Sequence, residues 1–383
     1  MSGTRVRPFD ELITGQPRAT STLVRALEAD QLFPSLVFHG PPGVGKLSTA
    51  LLLCRALLCD APEGRPCGAC RSCRRIDEHA LVHPDVRFVL PEKKSDFDRP
   101  APDDESTAGI DPQAAQADAV DHPVWSVLID RVRQGITFLQ RRPSESRHSI
   151  LIVDQAHRME AAPANALLKT LEEPPSHAVV VLITPSWHAL LPTIRSRCRG
   201  VPFQLVPRSQ IVSYLVERRE MGAEESVLRA GLSGGRIGAA LDLDLEEFRR
   251  RRGALLTLLN DLARRGDPGL AVARAEAIVQ RGESVEGEME ILMTLLRDVL
   301  ILGASPADEA RLVNVDIVQH LRDLAGPLES RAGEALASLE TTLEAIRHRG
   351  NRQLLIEDFF MTLLPPRAVG AQAGARGPGL GRG

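Results

Sequence analysis

At 383 residues the chain is too long for one ordinary hydrophobic core, and domains of about 100 to 200 residues imply two or three. Aromatics are only 3% and no apolar run reaches the ~18 residues that span a bilayer, which excludes helical membrane spans; with no apolar stretch behind Met1, the expected location is the cytoplasm. The net charge of −3 excludes a protein that coats nucleic acid by charge alone; residues Glu92 to Asp121 carry −6, leaving the rest at +3, so nearby nucleic acid is permitted rather than required.

The first predicted elements are a loop and an amphipathic helix over residues 9–30, with Leu23, Val24 and Leu27 on one side. Leu36-Val37-Phe38 predicts a short buried strand, and Ser48 to Leu58 a helix. Residues 91–123 are rich in Asp, Ala and Pro with few large apolar side chains, so a disordered insertion is expected there. Trp125 to Leu139 has helical spacing. Two further strands, Ile150 to Val153 and Val179 to Ile183, end in Asp154 and Thr184, and between them Ala164 to Glu173 predicts a helix stopped by Pro174-Pro175. Short apolar runs separated by helices imply a parallel sheet covered on both faces. Beyond Pro207 strand patterns give way to helical ones, with Val285 to Leu302 and Arg352 to Leu364 the most regular, and the Gly/Ala/Arg tail 367–383 is expected to be disordered.

Three constellations carry chemistry. Gly40-Pro41-Pro42-Gly43-Val44-Gly45-Lys46 lies between a strand and a helix, the context of a phosphate-binding loop, in which backbone amides wrap phosphates and the lysine neutralises them. The next residue is Leu47, where the motif places the Ser or Thr that holds magnesium. Asp154, at the end of its strand, fits the magnesium-orienting carboxylate of such a site, but Gln155 follows it where a glutamate would activate water. Cys59, Cys67, Cys70 and Cys73 follow C-x7-C-x2-C-x2-C, the spacing of a closed structural zinc site, with surface thiols or a redox pair as the alternative. Arg65, Arg71, Arg74 and Arg75 surround that cluster and read as solvated charge, with DNA or protein contact as the alternative.

Asn165-Ala-Leu-Leu-Lys-Thr-Leu-Glu-Glu-Pro-Pro175 and Thr193-Ile-Arg-Ser-Arg-Cys198 resemble the clamp-loader branch of the AAA+ family, and Phe9 to Gln16 is similar to that family's opening segment. The likeness is dense from about residue 9 to 207 and weaker through 366. It implies a P-loop AAA+ α/β domain over 1–207, with a zinc module at 59–73 and the insertion at about 91–123. A helical lid at 208–244, an all-α collar domain at 245–366 and the tail 367–383 would follow. The resemblance also implies a degenerate nucleotide site of Gly40, Gly43, Gly45, Lys46, Asp154 and Thr184, and makes Arg197 of Ser196-Arg197-Cys198 an arginine finger offered in trans. Read alone, Arg197 would be a surface salt bridge.

Leu47, Gln155 and Gly238, the last standing where hydrolysing subunits carry a phosphate-sensing arginine, match the non-hydrolysing class of clamp-loader subunit. They count against ATP and magnesium as working cofactors, and leave structural zinc. The implied partners are the other subunits of a hetero-pentamer, the sliding clamp, and primed DNA through the complex, in a cytoplasmic replisome. The rival readings are an ATP-hydrolysing motor subunit of the same family and a zinc-containing DNA-binding module.

Overall fold

The computed structural model describes residues 6–77, 79, 81–93, 110–121, 125–280, 285–328, 330–348 and 350–365. The tail 367–383 and most of the first half of the insertion lie outside them. The chain divides into two compact units. One holds the described residues up to Ser226 together with Ser233–Asp242, and the other holds Val227–Leu232 with the described residues from Leu243 onward.

The first unit is built on five parallel strands, β1 Ser35–His39, β2 Val86–Val89, β3 Ser149–Val153, β4 Ala178–Thr184 and β5 Arg199–Pro202, in the order β2-β3-β4-β1-β5. Its helices are α1 Pro17–Glu28, α2 Lys46–Leu58, α3 Arg71–Arg74, α4 Pro112–Asp121, α5 Ile129–Gln140, α6 Ala161–Glu172, α7 Pro192–Arg195, α8 Arg208–Arg219 and α10 Ile237–Asp242, while α9 Ala223–Leu232 straddles the division. Alternate strand residues serve opposite faces. Leu36, Phe38, Ile150, Ile152, Val179, Val181 and Ile183 pack with Leu23 of α1 and Leu51 and Leu53 of α2. Val37, Leu151, Val153, Val180 and Leu182 pack with Val132 and Leu139 of α5 and Leu167 and Leu171 of α6. The period of two on fully buried strands is what a sheet covered by helices on both faces demands.

Two strands escape the sequence pattern. β2 carries Arg87, and β5 reads Arg-Gly-Val-Pro, so neither is a clean apolar run. The insertion is also ordered in part: Pro112–Asp121 is helical, because Asp111 caps it by accepting from the Gln113 and Ala114 amides at 2.9 Å each. Pro112 at the first helical position suits that start. Ile110 pairs with Leu81, whose N–H donates to its carbonyl at 2.9 Å, and packs against the core beneath α1 and α2.

The second unit consists of α11 Leu245–Arg265, α12 Pro268–Gln280, α13 Val285–Ala304, α14 Val318–Leu328, α15 Ala332–Arg347 and α16 Arg352–Thr362. The apolar side chains of α13, among them Met289, Leu292, Leu295, Leu296 and Val299, lie at its centre against α11, α14 and α15. Fully buried Asp298 accepts from the Asn314 amide at 2.7 Å and its Nδ2 at 2.8 Å, which holds the loop before α14. Buried Arg252 reaches Asp316 in the same loop through Nη1 at 2.7 Å and Nη2 at 2.6 Å. No described helix is long and apolar enough to cross a membrane.

Candidate nucleotide site and metal centre

The carboxyl ends of β1, β3 and β4 bring the phosphate loop, Asp154 and Thr184 to one edge of the sheet, where open parallel sheets place their ligands. The Gly40 N–H donates to the Thr184 carbonyl at 3.3 Å. Gly40 is required by close approach, since a side chain there would strike the Phe203 carbonyl oxygen at 2.2 Å. Gly45, at φ +92°, turns the loop into α2, as only glycine does without strain.

Lys46 is buried and folds back on the loop itself, its Nζ donating to the Gly40 carbonyl at 2.6 Å and to that of Pro41. Burial lowers its ammonium to about 8, against the pull of Asp154. Leu47 is 6% exposed and belongs to the apolar layer under α2. The position that holds magnesium in a working loop is thus a core position here. On the opposite side the loop is closed by backbone: Gly238 N–H donates to the Gly43 carbonyl at 2.9 Å, and Arg236 packs beside Gly43 while its own Nε donates to the Ser233 carbonyl at 3.1 Å.

Asp154 is 1% exposed, and burial raises its carboxyl above the usual carboxylate range. One of its oxygens, Oδ2, accepts from Nε2 of Gln116 in α4 at 2.6 Å. Gln155 adopts a left-handed backbone with φ +46°, and its buried Nε2 has no partner among the described residues. Thr184 turns its hydroxyl into a local turn, donating to the Ser186 carbonyl at 3.0 Å. This donor set does not fit magnesium: it offers an apolar side chain for the hydroxyl ligand and a carboxylate already engaged by an amide. Sequence reasoning missed Gln116 entirely. Asp111-Pro112 before an alanine-rich run is a helix-start signal that could have found its helix, but nothing local points to Asp154.

The four cysteines are brought together. One sulfur from each of Cys59, Cys67, Cys70 and Cys73 lies within 4.8 Å of the other three, and the Cys59 and Cys70 sulfurs are 3.9 Å apart. Zinc–sulfur bonds of about 2.3 Å give a tetrahedral edge of about 3.8 Å, so the cluster fits zinc. Backbone amides already donate to three of the sulfurs: Cys67 to Cys59 at 3.4 Å, Cys70 to Cys67 at 3.3 Å and Cys73 to Cys70 at 3.4 Å. The Ala69 and Cys70 amides draw the Cys67 thiol down to about 6, suiting it to act as a thiolate ligand. Of the surrounding arginines, Arg75 pairs with Glu145 at 2.6 Å and Arg65 donates to the Ala61 carbonyl at 2.7 Å. Cys54 and Cys198 stand outside the cluster and are raised by burial, Cys198 to about 12.

Arg197 lies in the turn between α7 and β5. Its guanidinium pairs with Glu172 at the end of α6, and its Nη1 also donates to the Thr193 carbonyl at 2.9 Å and to Ser196 Oγ at 3.1 Å.

The sequence model of the family described as DNA polymerase III, delta subunit, matches residues 15–207, half of the chain. The chain belongs to that family. Among relatives of this delta-subunit family member, the DNA polymerase III delta' subunit of Bacillus subtilis is 28% identical over 91% of this chain and 96% of its own length. The delta' subunit of Escherichia coli is 29% identical over 89% of this chain and 92% of its own. The gamma/tau subunit of Mycobacterium bovis is 27% identical over 96% of this chain, which spans only 63% of that relative. The match to the delta-subunit family covers all five strands of the sheet, with the phosphate loop, the cysteine cluster and Arg197.

Proposed function

We propose that this chain is the non-hydrolysing, delta'-type subunit of a bacterial clamp loader, and that it helps place the sliding clamp on primed DNA. The observation that carries this is the burial of Leu47 in the sheet core, at the one loop position whose hydroxyl a hydrolysing subunit needs. The near full-length likeness to two delta' subunits supports the same reading. In it, Arg197 acts as a finger on ATP held by a neighbouring subunit, the cysteine cluster is a structural zinc site, and the six helices from Leu245 onward form the collar of a hetero-pentamer in the cytoplasm. The segment 208–244 is the lid of that three-domain scheme. DNA is met through the assembled complex.

The test is reconstitution. The purified chain, mixed with the other clamp-loader subunits of its organism, is expected to co-elute in one stoichiometric complex while hydrolysing no ATP by itself. Turnover by the isolated chain that disappears in Lys46→Ala would show a motor subunit instead. Tight, steeply salt-dependent DNA binding by the isolated chain without co-elution would show a DNA-binding module.

A further inference from the structure

The acidic insertion has no role in the reading above, yet one of its side chains ends inside the nucleotide site. Gln116 Nε2 donates to Oδ2 of Asp154 at 2.6 Å, and Asp154 is buried at the carboxyl end of β3, where the fold presents a magnesium-orienting carboxylate. The contact is held from outside the site. Leu81 and Ile110 are bridged, Ile110 packs on the sheet core, and Asp111 caps α4 through the Gln113 and Ala114 amides. These anchors fix the helix start, and Gln116 follows the cap by five residues, about one and a half turns. On the far side of the insertion, Glu92 and Ser126 exchange backbone hydrogen bonds at 2.9 and 3.1 Å, and Arg131 Nε binds Glu92 at 2.8 Å, so both roots are pinned.

A buried carboxylate oxygen must have a partner, and in a working site that partner is hydrated magnesium. Here an amide N–H fills the place. Lys46, turned onto the loop carbonyls, leaves the phosphate side equally self-satisfied.

We propose that Gln116 is a built-in occupant of the cation position at Asp154, through which the insertion keeps magnesium-bound nucleotide out of this subunit. The inference rests on the site being non-hydrolysing and adds what enforces it: an exchangeable hydrogen bond from another part of the chain, and not only the absence of a hydroxyl at Leu47. It follows that the carboxylate is occupied rather than lost, while Leu47 remains a separate obstacle, so freeing Asp154 restores part of a working site and not the whole of it.

The test uses the full chain and a fluorescent ADP analogue, titrated with and without millimolar magnesium. Wild type is expected to bind weakly and with no response to magnesium. Gln116→Ala frees the Asp154 oxygen, whose hydrogen bond is typically worth enough to shift binding roughly tenfold, so its affinity should rise by that factor when magnesium is added. Adding Lys46→Ala to that variant should abolish the gain. A Gln116→Ala protein in which magnesium has no more effect than in wild type, whether or not the analogue binds, overturns the proposal.

A second variant guards against misfolding of the first. Gln116→Glu sets two carboxylates together, and Mn2+ alone should then bind with one ion more per chain than wild type holds by equilibrium dialysis, an increment lost when Asp154→Asn is added. No added ion would overturn the proposal in that arm. Magnesium-dependent binding by wild type without turnover would overturn the inference but leave the non-hydrolysing reading standing, whereas wild-type turnover would end both.

Discussion

Arg197 and Glu172 form an ion pair that joins the turn after α7 to the end of α6, with the Arg197 side chain 31% exposed and that of Glu172 46% exposed. A pair so placed contributes little to stability, since solvent screens it and both side chains lose entropy in making it. Its consequence lies elsewhere: the guanidinium is held in place at the surface and can exchange Glu172 for a stronger anion without leaving a buried charge behind.

Arg197→Ala is therefore expected to fold with unchanged thermal stability and to join the reconstituted loader, yet to slow its DNA-stimulated ATP hydrolysis. A finger contributes ~10³ to 10⁵ in rate at the site it completes, and the complex would show that site's share. Arg197→Lys should rescue little, because a point charge does not reproduce the guanidinium fork. Glu172→Gln should leave loading near wild type, since the Thr193 carbonyl and Ser196 Oγ still position the arginine. Clamp-loading assays on the three variants check this, and full activity in Arg197→Ala would remove the finger role.

Leu47→Ser restores the hydroxyl of a working loop at a position that the core fills. We expect it to cost about 2 to 4 kcal/mol in denaturant unfolding, as other large-to-small core changes do, and to bring no ATP turnover. A stable, hydrolysing variant would show that a single residue silences the site.

The cysteine cluster should hold about one zinc per chain by elemental analysis of reduced protein. Cys70→Ser is expected to lower that content and loosen residues 59–73 to proteolysis while the far-ultraviolet signal of the sheet unit persists, because the β-strands lie outside the module. Full zinc content in Cys70→Ser would place the ion elsewhere.

Asp316 gives the second unit an acid-sensitive anchor. Its partial burial opposes ionisation, but hydrogen bonds and charge from Arg252, with Arg249 beyond, outweigh it and hold the carboxyl below 3.8. A carboxyl depressed in the folded state stabilises it above the unfolded pKa, and that stabilisation is lost as pH falls through the folded value. Asp316→Asn should cost about 3 kcal/mol near pH 7, the lower end for breaking a buried pair because Asp316 is partly exposed. The gap from wild type should narrow below pH 4 in acid-unfolding curves. A constant gap across that range would rule out the ion pair as its cause.

The site residues legible in the sequence were those whose chemistry is written at fixed local spacing. The loop from Gly40 to Lys46 and the double CxxC need only neighbouring residues to take their shape, so reading them in order was enough to foresee a glycine-turned cradle and a convergent thiolate cluster. The strands β1, β3 and β4 were legible for the same reason, each a run of apolar residues destined for a sheet covered on both faces. By contrast, β2 and β5 were hidden, because a strand containing Arg87, or one reading Arg-Gly-Val-Pro, is defined by the neighbour it pairs with and not by its own pattern. The insertion shows the limit most plainly. Its composition predicted a disordered segment, and composition cannot register that Pro112–Asp121 is helical, that Ile110 finds the core, or that Gln116 meets an aspartate 38 positions away. The sequence by itself determined the glycine loop and the convergence of the four cysteines. Only the tertiary structure decided that Leu47 is core and that Asp154 is already occupied, because both depend on contacts made when distant segments close on one another, and no local periodicity encodes such contacts.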